Sequence, residues 1–128
     1  MPSLPPTIFL VDDDPAVLKG LSRLLRAAQL NVVTFNSPQE FLERTDPRTP
    51  GCLVLDVAMP GMSGLELQAA LITKGSTVPI IFLTGNGDTA MSLLALKRGA
   101  VAFLTKPVND DDLLKAVRLA LEKDQTRN

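Results

Sequence analysis

Four short apolar runs constrain this chain more than any other feature: Thr7 to Val11 (TIFLV), Cys52 to Leu55 (CLVL), Pro79 to Leu83 (PIIFL) and Val101 to Leu104 (VAFL). Each reads as a strand covered on both faces, the pattern of a parallel sheet. Asn31 to Phe35 (NVVTF) is a weaker fifth candidate, polar enough for an edge or outer strand. Between the runs lie helix-start signals: Asp14 before Pro15, Ser37-Pro38-Gln39-Glu40, Ser63-Gly64-Leu65-Glu66, Asp88, and the acidic cluster Asn109 to Asp112. Ser37 with Glu40 and Ser63 with Glu66 have capping-box spacing, and Pro15 and Pro38 suit a first helical position.

The first intervening segment places Val17, Leu21, Leu24, Leu25 and Ala28 on one stripe, and the last repeats this with Leu113, Val117, Ala120 and Leu121. Strict alternation of strand and helix with short connections predicts right-handed crossovers, hence a doubly wound α/β domain with a five-stranded parallel sheet and five helices. At 128 residues, 45% apolar and 21% charged, the chain fits one compact domain with a sizeable core. That domain is expected over residues 1–122, with 123–128 as a tail or the start of a linker.

Composition narrows the chemistry. There is no histidine, which excludes Ser-His-Asp and Cys-His catalysis, histidine metal ligands, and a phosphohistidine on this chain. Thirteen basic against fourteen acidic residues give a net charge of -1, so no electrostatic footprint for direct nucleic-acid binding or an anionic membrane is present. A single Cys52 cannot form an internal disulfide, and no long apolar run or leader is evident, so a cytoplasmic location is expected.

In a doubly wound sheet, ligands bind at the carboxyl ends of strands. Those ends here carry Asp12-Asp13-Asp14, Asp56, Thr84-Gly85 and Thr105-Lys106-Pro107. Asp12, Asp13 and Asp56 are expected to crowd together, which is costly for three ionised carboxylates without a cation. An all-oxygen donor set suits a hard dication, and a small site completed by water and phosphate oxygens suits Mg2+ better than Ca2+. Lys106 adds a point charge able to pair with Asp56 or an anion bound to it, and Thr84 adds a hydroxyl donor. Each residue also has an ordinary structural reading: Asp14 as a helix N-cap before Pro15, Asp12 and Asp13 as turn formers, Thr84 as a turn residue, Lys106 as a surface lysine. Together they supply what phosphoryl transfer to an aspartate needs, since that reaction is mostly positioning and charge neutralisation.

Val11-Asp12-Asp13-Asp14, Leu53 to Gly64 (LVLDVAMPGMSG), Leu83-Thr84-Gly85 and Phe103-Leu104-Thr105-Lys106-Pro107 together resemble the receiver domain of bacterial two-component response regulators. Leu83 to Val108 looks most like receivers of the FixJ-type transcriptional regulators. The resemblance implies a flavodoxin-like strand order 2-1-3-4-5 and a phosphorylation-dependent signalling switch that serves a sensor histidine kinase and controls transcription through a domain outside this sequence. It implies Asp56 as phosphoacceptor; Asp13, Asp56 and the Ala58 backbone carbonyl as Mg2+ ligands, with Asp12 acting through water; and Thr84 and Lys106 as phosphoryl-oxygen donors. A cis peptide at Pro107 is implied, and Gly85 would leave the phosphoryl pocket open. Ala58 and Asn86 occupy positions that tune dephosphorylation, and Thr84 and Phe103 those of the switch.

Leu93-Leu94-Ala95-Leu96 sweeps about 300° of a helical wheel, too wide for one buried stripe. Related receivers usually carry a polar residue where Leu94 stands, so an apolar patch around Leu94 is expected to dock a partner or a second copy on phosphorylation. Such a domain is no enzyme beyond catalysing its own phosphorylation and dephosphorylation. Two other readings are weighed. A haloacid-dehalogenase-type phosphohydrolase would use Asp12 as nucleophile and Asp14 as acid/base, but leaves Asp56 unexplained and has no room for a cap. A degenerate receiver acting only as a binding module is opposed by the intact Asp13, Asp56, Thr84 and Lys106.

Overall fold

The computed structural model describes residues 5–46, 48–85 and 89–126. Five strands, β1 (Thr7–Val11), β2 (Asn31–Phe35), β3 (Gly51–Asp56), β4 (Ile80–Thr84) and β5 (Ala102–Thr105), alternate with α1 (Pro15–Ala27), α2 (Pro38–Arg44), α3 (Gly64–Thr73), α4 (Thr89–Lys97) and α5 (Asp110–Thr126). All pairings are parallel, in the order β2-β1-β3-β4-β5. The expected architecture and strand order are therefore those observed, with boundaries shifted by a residue or so in β3, β4 and β5.

Burial follows each strand's place. Every residue of β3 and β4 is buried, whereas β2 and β5 at the two edges are mixed. One face of the sheet packs a cluster that includes Phe9, Leu53, Leu55, Leu67 and Phe82 under α2, α3 and α4. The other packs Ile8, Leu10, Val54, Ile81 and Leu83 against α1 and α5 through Leu25, Leu113, Val117 and Ala120.

The local signals act as their chemistry requires. Asp14 accepts from the Ala16 N–H and Ser37 from the Glu40 N–H, each with proline at the start of the helix. Ser63 and Glu66 form the reciprocal capping box. Asn109 Oδ1 accepts from the Asp112 N–H and caps α5. Asp88 lies outside the described residues.

Two expectations need correction. Ala28 is not on the buried stripe of α1; it is the exposed C-cap, followed by Gln29 at φ 66°, so the packed face is formed by Leu18, Leu21, Leu24 and Leu25. The polar end from Lys123 is not a loose tail up to Thr126 but the last part of α5, where buried Asp124 accepts a 2.8 Å hydrogen bond from the Gly51 N–H at the start of β3. Gly51 itself sits at φ 143°, and a Cβ there would stand 1.8 Å from the Thr7 carbonyl oxygen.

Candidate functional site

Register assembles the site. Val11 pairs with Leu55 and Asp56 with Leu83, so the residues leaving β1, β3 and β4 arrive at one rim. Thr84 pairs with Thr105, and the Lys106 N–H donates to the Thr84 carbonyl at 2.6 Å, which brings the Lys106 side chain over the same rim. Carboxylate oxygens of Asp12, Asp13 and Asp56 all lie within 4.8 Å of one another. Asp12, Asp56 and Thr84 are buried, Asp13 is exposed, and Lys106 is half-buried.

Asp12 has both oxygens engaged: Oδ1 accepts from the Asp14 N–H at 2.9 Å and Oδ2 from Lys106 Nζ at 2.9 Å. Lys106 Nζ lies 3.5 Å from Asp56 Oδ2, so the sequence expectation that it pairs with Asp56 is met only as the longer of two contacts. The Ala58 N–H reaches Asp56 Oδ1 at 3.4 Å. Burial first, and the neighbouring Asp12 carboxylate second, push the Asp56 carboxyl above its ordinary value, against the pull of Lys106. For Lys106, burial alone would lower the ammonium, but the hydrogen bond and charge of Asp12, then Asp56, outweigh it and leave the pKa raised.

The donor set fits a hard dication. Three carboxylates and no histidine or cysteine give oxygen ligands only, and the two buried ones, Asp12 and Asp56, share the single ammonium of Lys106. Asp13 and Asp56 have the freer oxygens, whereas Asp12 is already committed to Lys106 and the Asp14 amide.

The remaining expected residues fall as follows. Lys106-Pro107 is a cis peptide. A Cβ at Gly85 would meet nothing within 4 Å among the described residues. Ala58 is exposed, and Asn86 lies outside the described residues. Phe103 is partly buried on the same sheet face as Thr84 and stacks on Phe82, with ring centroids 5.9 Å apart. Leu94 is 40% exposed, flanked by Leu93 at 58% and Leu96 at 44%, while Ala95 is fully buried, so the apolar patch on α4 is present. Asp14 serves as the cap of α1.

Two contributors lay outside the sequence reading. Gly64, read there only as part of a helix start and a motif, lets α3 approach the loop that follows β3: its N–H donates to the Val57 carbonyl at 2.9 Å, and a Cβ would lie 2.5 Å from the Asp56 carbonyl oxygen. A groove of about 330 Å3 opens beside Lys106, walled in part by Val17, Leu21, Leu24, Pro107 and Val108. The apolar spacing of α1 alone could have signalled one wall, but not its opposition to the β5–α5 connection. Among the described residues, no helix is long and apolar enough to cross a membrane.

Comparison with known proteins agrees with this geometry. Residues 8–118 match the model of the response regulator receiver domain. The chain is 47% identical over 120 residues to nodulation protein W of Bradyrhizobium diazoefficiens, covering 94% of this chain and 53% of that protein. It is 42% identical to the transcriptional regulatory protein FixJ of Azorhizobium caulinodans, covering 93% and 56%. The solved structure of response regulator StyR superposes with a TM-score of 0.92 at 46% identity, covering 97% of this chain and 63% of that one. The chain thus spans about half the length of the curated relatives it matches. By sequence, strand order and the carboxylates gathered at the rim, it belongs to the response regulator receiver domains of two-component signalling.

Proposed function

We propose that this domain is a phosphorylation-controlled switch in which Asp56 accepts a phosphoryl group from the phosphohistidine of a sensor kinase and the α4–β5–α5 surface changes in response. The observation that carries this reading is the meeting of Asp12, Asp13 and Asp56 with Lys106 at one rim. An Asp56 carboxylate oxygen attacks phosphorus; the new O–P bond forms as the P–N bond breaks, and its electron pair returns to the imidazole, which leaves with a proton from solvent. Lys106 holds one phosphoryl oxygen, and the Thr84 hydroxyl donates to another. Asp13, Asp56 and the Ala58 carbonyl would hold Mg2+, with Asp12 through water; when bound it would offset the crowded carboxylate charge and that of the incoming phosphoryl group. The apolar groove beside Lys106 is a surface against which a kinase helix would present its donor.

Moving a two-state equilibrium from 1:99 to 99:1 takes about 5.5 kcal/mol. A single hydrogen bond to a charged group contributes roughly 1.5 to 3 kcal/mol, so Thr84 and Lys106 act together with the metal rather than alone. Thr84 drawn toward the phosphoryl group leaves room into which Phe103 turns, converting charge at the rim into repacking beneath α4. The exposed leucines of α4 then form the association surface for a second copy or an output partner, in keeping with transcriptional control by the longer relatives. The Ala58 methyl cannot orient an attacking water, so the phosphorylated form is long-lived, and no catalysis beyond the domain's own modification is proposed. A phosphohydrolase acting through Asp12 is disfavoured, because both oxygens of that side chain are already engaged and Asp14 is spent on capping α1.

Incubation with Mg2+ and acetyl phosphate, followed by intact-mass measurement, tests the assignment. One added phosphoryl group in the parent and none in Asp56→Ala is the expected result. Equal modification of both, or steady phosphate release from simple phosphomonoesters, would refute it. A phosphoryl half-life of seconds would contradict the role given to Ala58, and a Leu94→Glu variant whose phosphorylated form associates like the parent would remove the role given to α4.

A further inference from the structure

At the edge of the sheet opposite Asp56, where β4 and β5 begin, the fold encloses a cleft of about 370 Å3. That volume lies within the range of small-molecule sites, roughly 300 to 1,000 Å3. Leu71, Val78, Ile80 and Val101 give it an apolar wall. Arg98, just past α4, and Lys123 of α5 bring two cations to it from separate elements, and no acidic side chain lines it among the described residues. Gln68 of α3 completes the wall. It is 1% exposed, its Nε2 donates to the Ala95 carbonyl of α4 at 3.1 Å, and its Oε1 is enclosed, with no hydrogen-bond partner among the described residues.

We propose that this cleft is a second binding site, spatially separate from the Asp56 rim, for a small carboxylic acid with an apolar body. The apolar body rests on the aliphatic wall. The carboxylate pairs with the planar donor fork of Arg98, aided by the charge of Lys123. Because Gln68 holds the Ala95 carbonyl, occupancy bears directly on α4, the helix that displays Leu93, Leu94 and Leu96. Linkage makes the effect reciprocal: a ligand that prefers one position of α4 is itself bound more tightly in that position.

Titration of the isotope-labelled domain with N-acetylphenylalanine, followed by amide chemical shifts, tests this, with the uncharged N-acetylphenylalaninamide in parallel. Saturable shifts centred on Leu71, Val78 and Val101 are expected for the acid, with weaker binding of the amide. Arg98→Gln, a change at an exposed side chain, should weaken binding of the acid by about fivefold. Asp56→Ala should bind it like the parent, which separates this site from phosphoryl acceptance. No saturable shift at those residues, equal binding of acid and amide, or an Arg98→Gln variant that binds unchanged would each overturn the proposal.

Discussion

Two buried aspartates stand at opposite ends of this sheet, and they are handled in opposite ways. Asp124 meets a backbone N–H of Gly51 at 2.8 Å, where it ties the end of α5 to the start of β3. Asp56 shares one half-buried ammonium with Asp12, and its carboxyl is pushed up by burial and by that neighbour. A carboxylate whose partner is fixed by the backbone holds the fold together. A carboxylate crowded by its own kind carries charge that one ammonium must serve twice, at a cost to the resting molecule.

The largest expected effect tests the settled end. Gly51→Val would force a side chain into the Thr7 carbonyl at a φ that branched residues do not tolerate. Loss of cooperative folding is expected, read as absence of a thermal transition; a variant melting within a few degrees of the parent would show that the strand start can shift. Asp124→Ala should destabilise by about 1 to 3 kcal/mol, since the Gly51 N–H loses its partner, measured by urea denaturation. An unchanged midpoint would mean that the bond across the base of the sheet contributes nothing.

At the crowded end the sign reverses. A raised carboxyl pKa means that the associated stability is fully present below the unfolded value of 3.8 and is lost as pH rises through the folded value. At neutral pH without metal, Asp56→Asn is therefore expected to raise the melting temperature by a few degrees, and the gain should shrink as the solution is acidified. Added Mg2+ should stabilise the parent by about 2.7 kcal/mol at a hundredfold excess over its dissociation constant, and the Asn variant by much less. A less stable Asn variant in metal-free buffer would erase the contrast between the two aspartates.

The smallest effect lies where the two kinds of burial touch. Cys52, next to Gly51, has its thiol pushed up to about 12, by burial first and then by the charge of Asp124. Its protonated form therefore supports the fold fully below the unfolded value near 9.0, and that support fades as pH climbs from 9.0 toward 12. Native protein at pH 9 should resist alkylation by iodoacetamide, and Asp124→Asn should label modestly faster. Rapid labelling of the native parent would place the thiol in a looser environment.

Much of this was legible in the sequence because it depends on local chemistry. Short apolar runs, capping residues and the carboxylates at the ends of strands announce themselves within a few positions. The bond from Asp124 to Gly51 spans 73 residues, and nothing in a polar end reading KDQTRN separates one aspartate from its solvated neighbours. The choice of Lys106 between Asp12 and Asp56 is a matter of fractions of an ångström, set by the register of β1 on β3 and of β4 on β5. The buried stripe of α1 was misjudged by one turn because Gln29, not a glycine, takes the left-handed conformation that ends the helix.

The order of the strands sets how tightly each site residue is held. Asp56 ends a strand clamped between β1 and β4 and shielded throughout, whereas Phe103 sits on a strand with a neighbour on one side only. A change of packing is accommodated more readily at that margin, where one flank has no neighbouring strand, than in the middle of the sheet, where both flanks are tied.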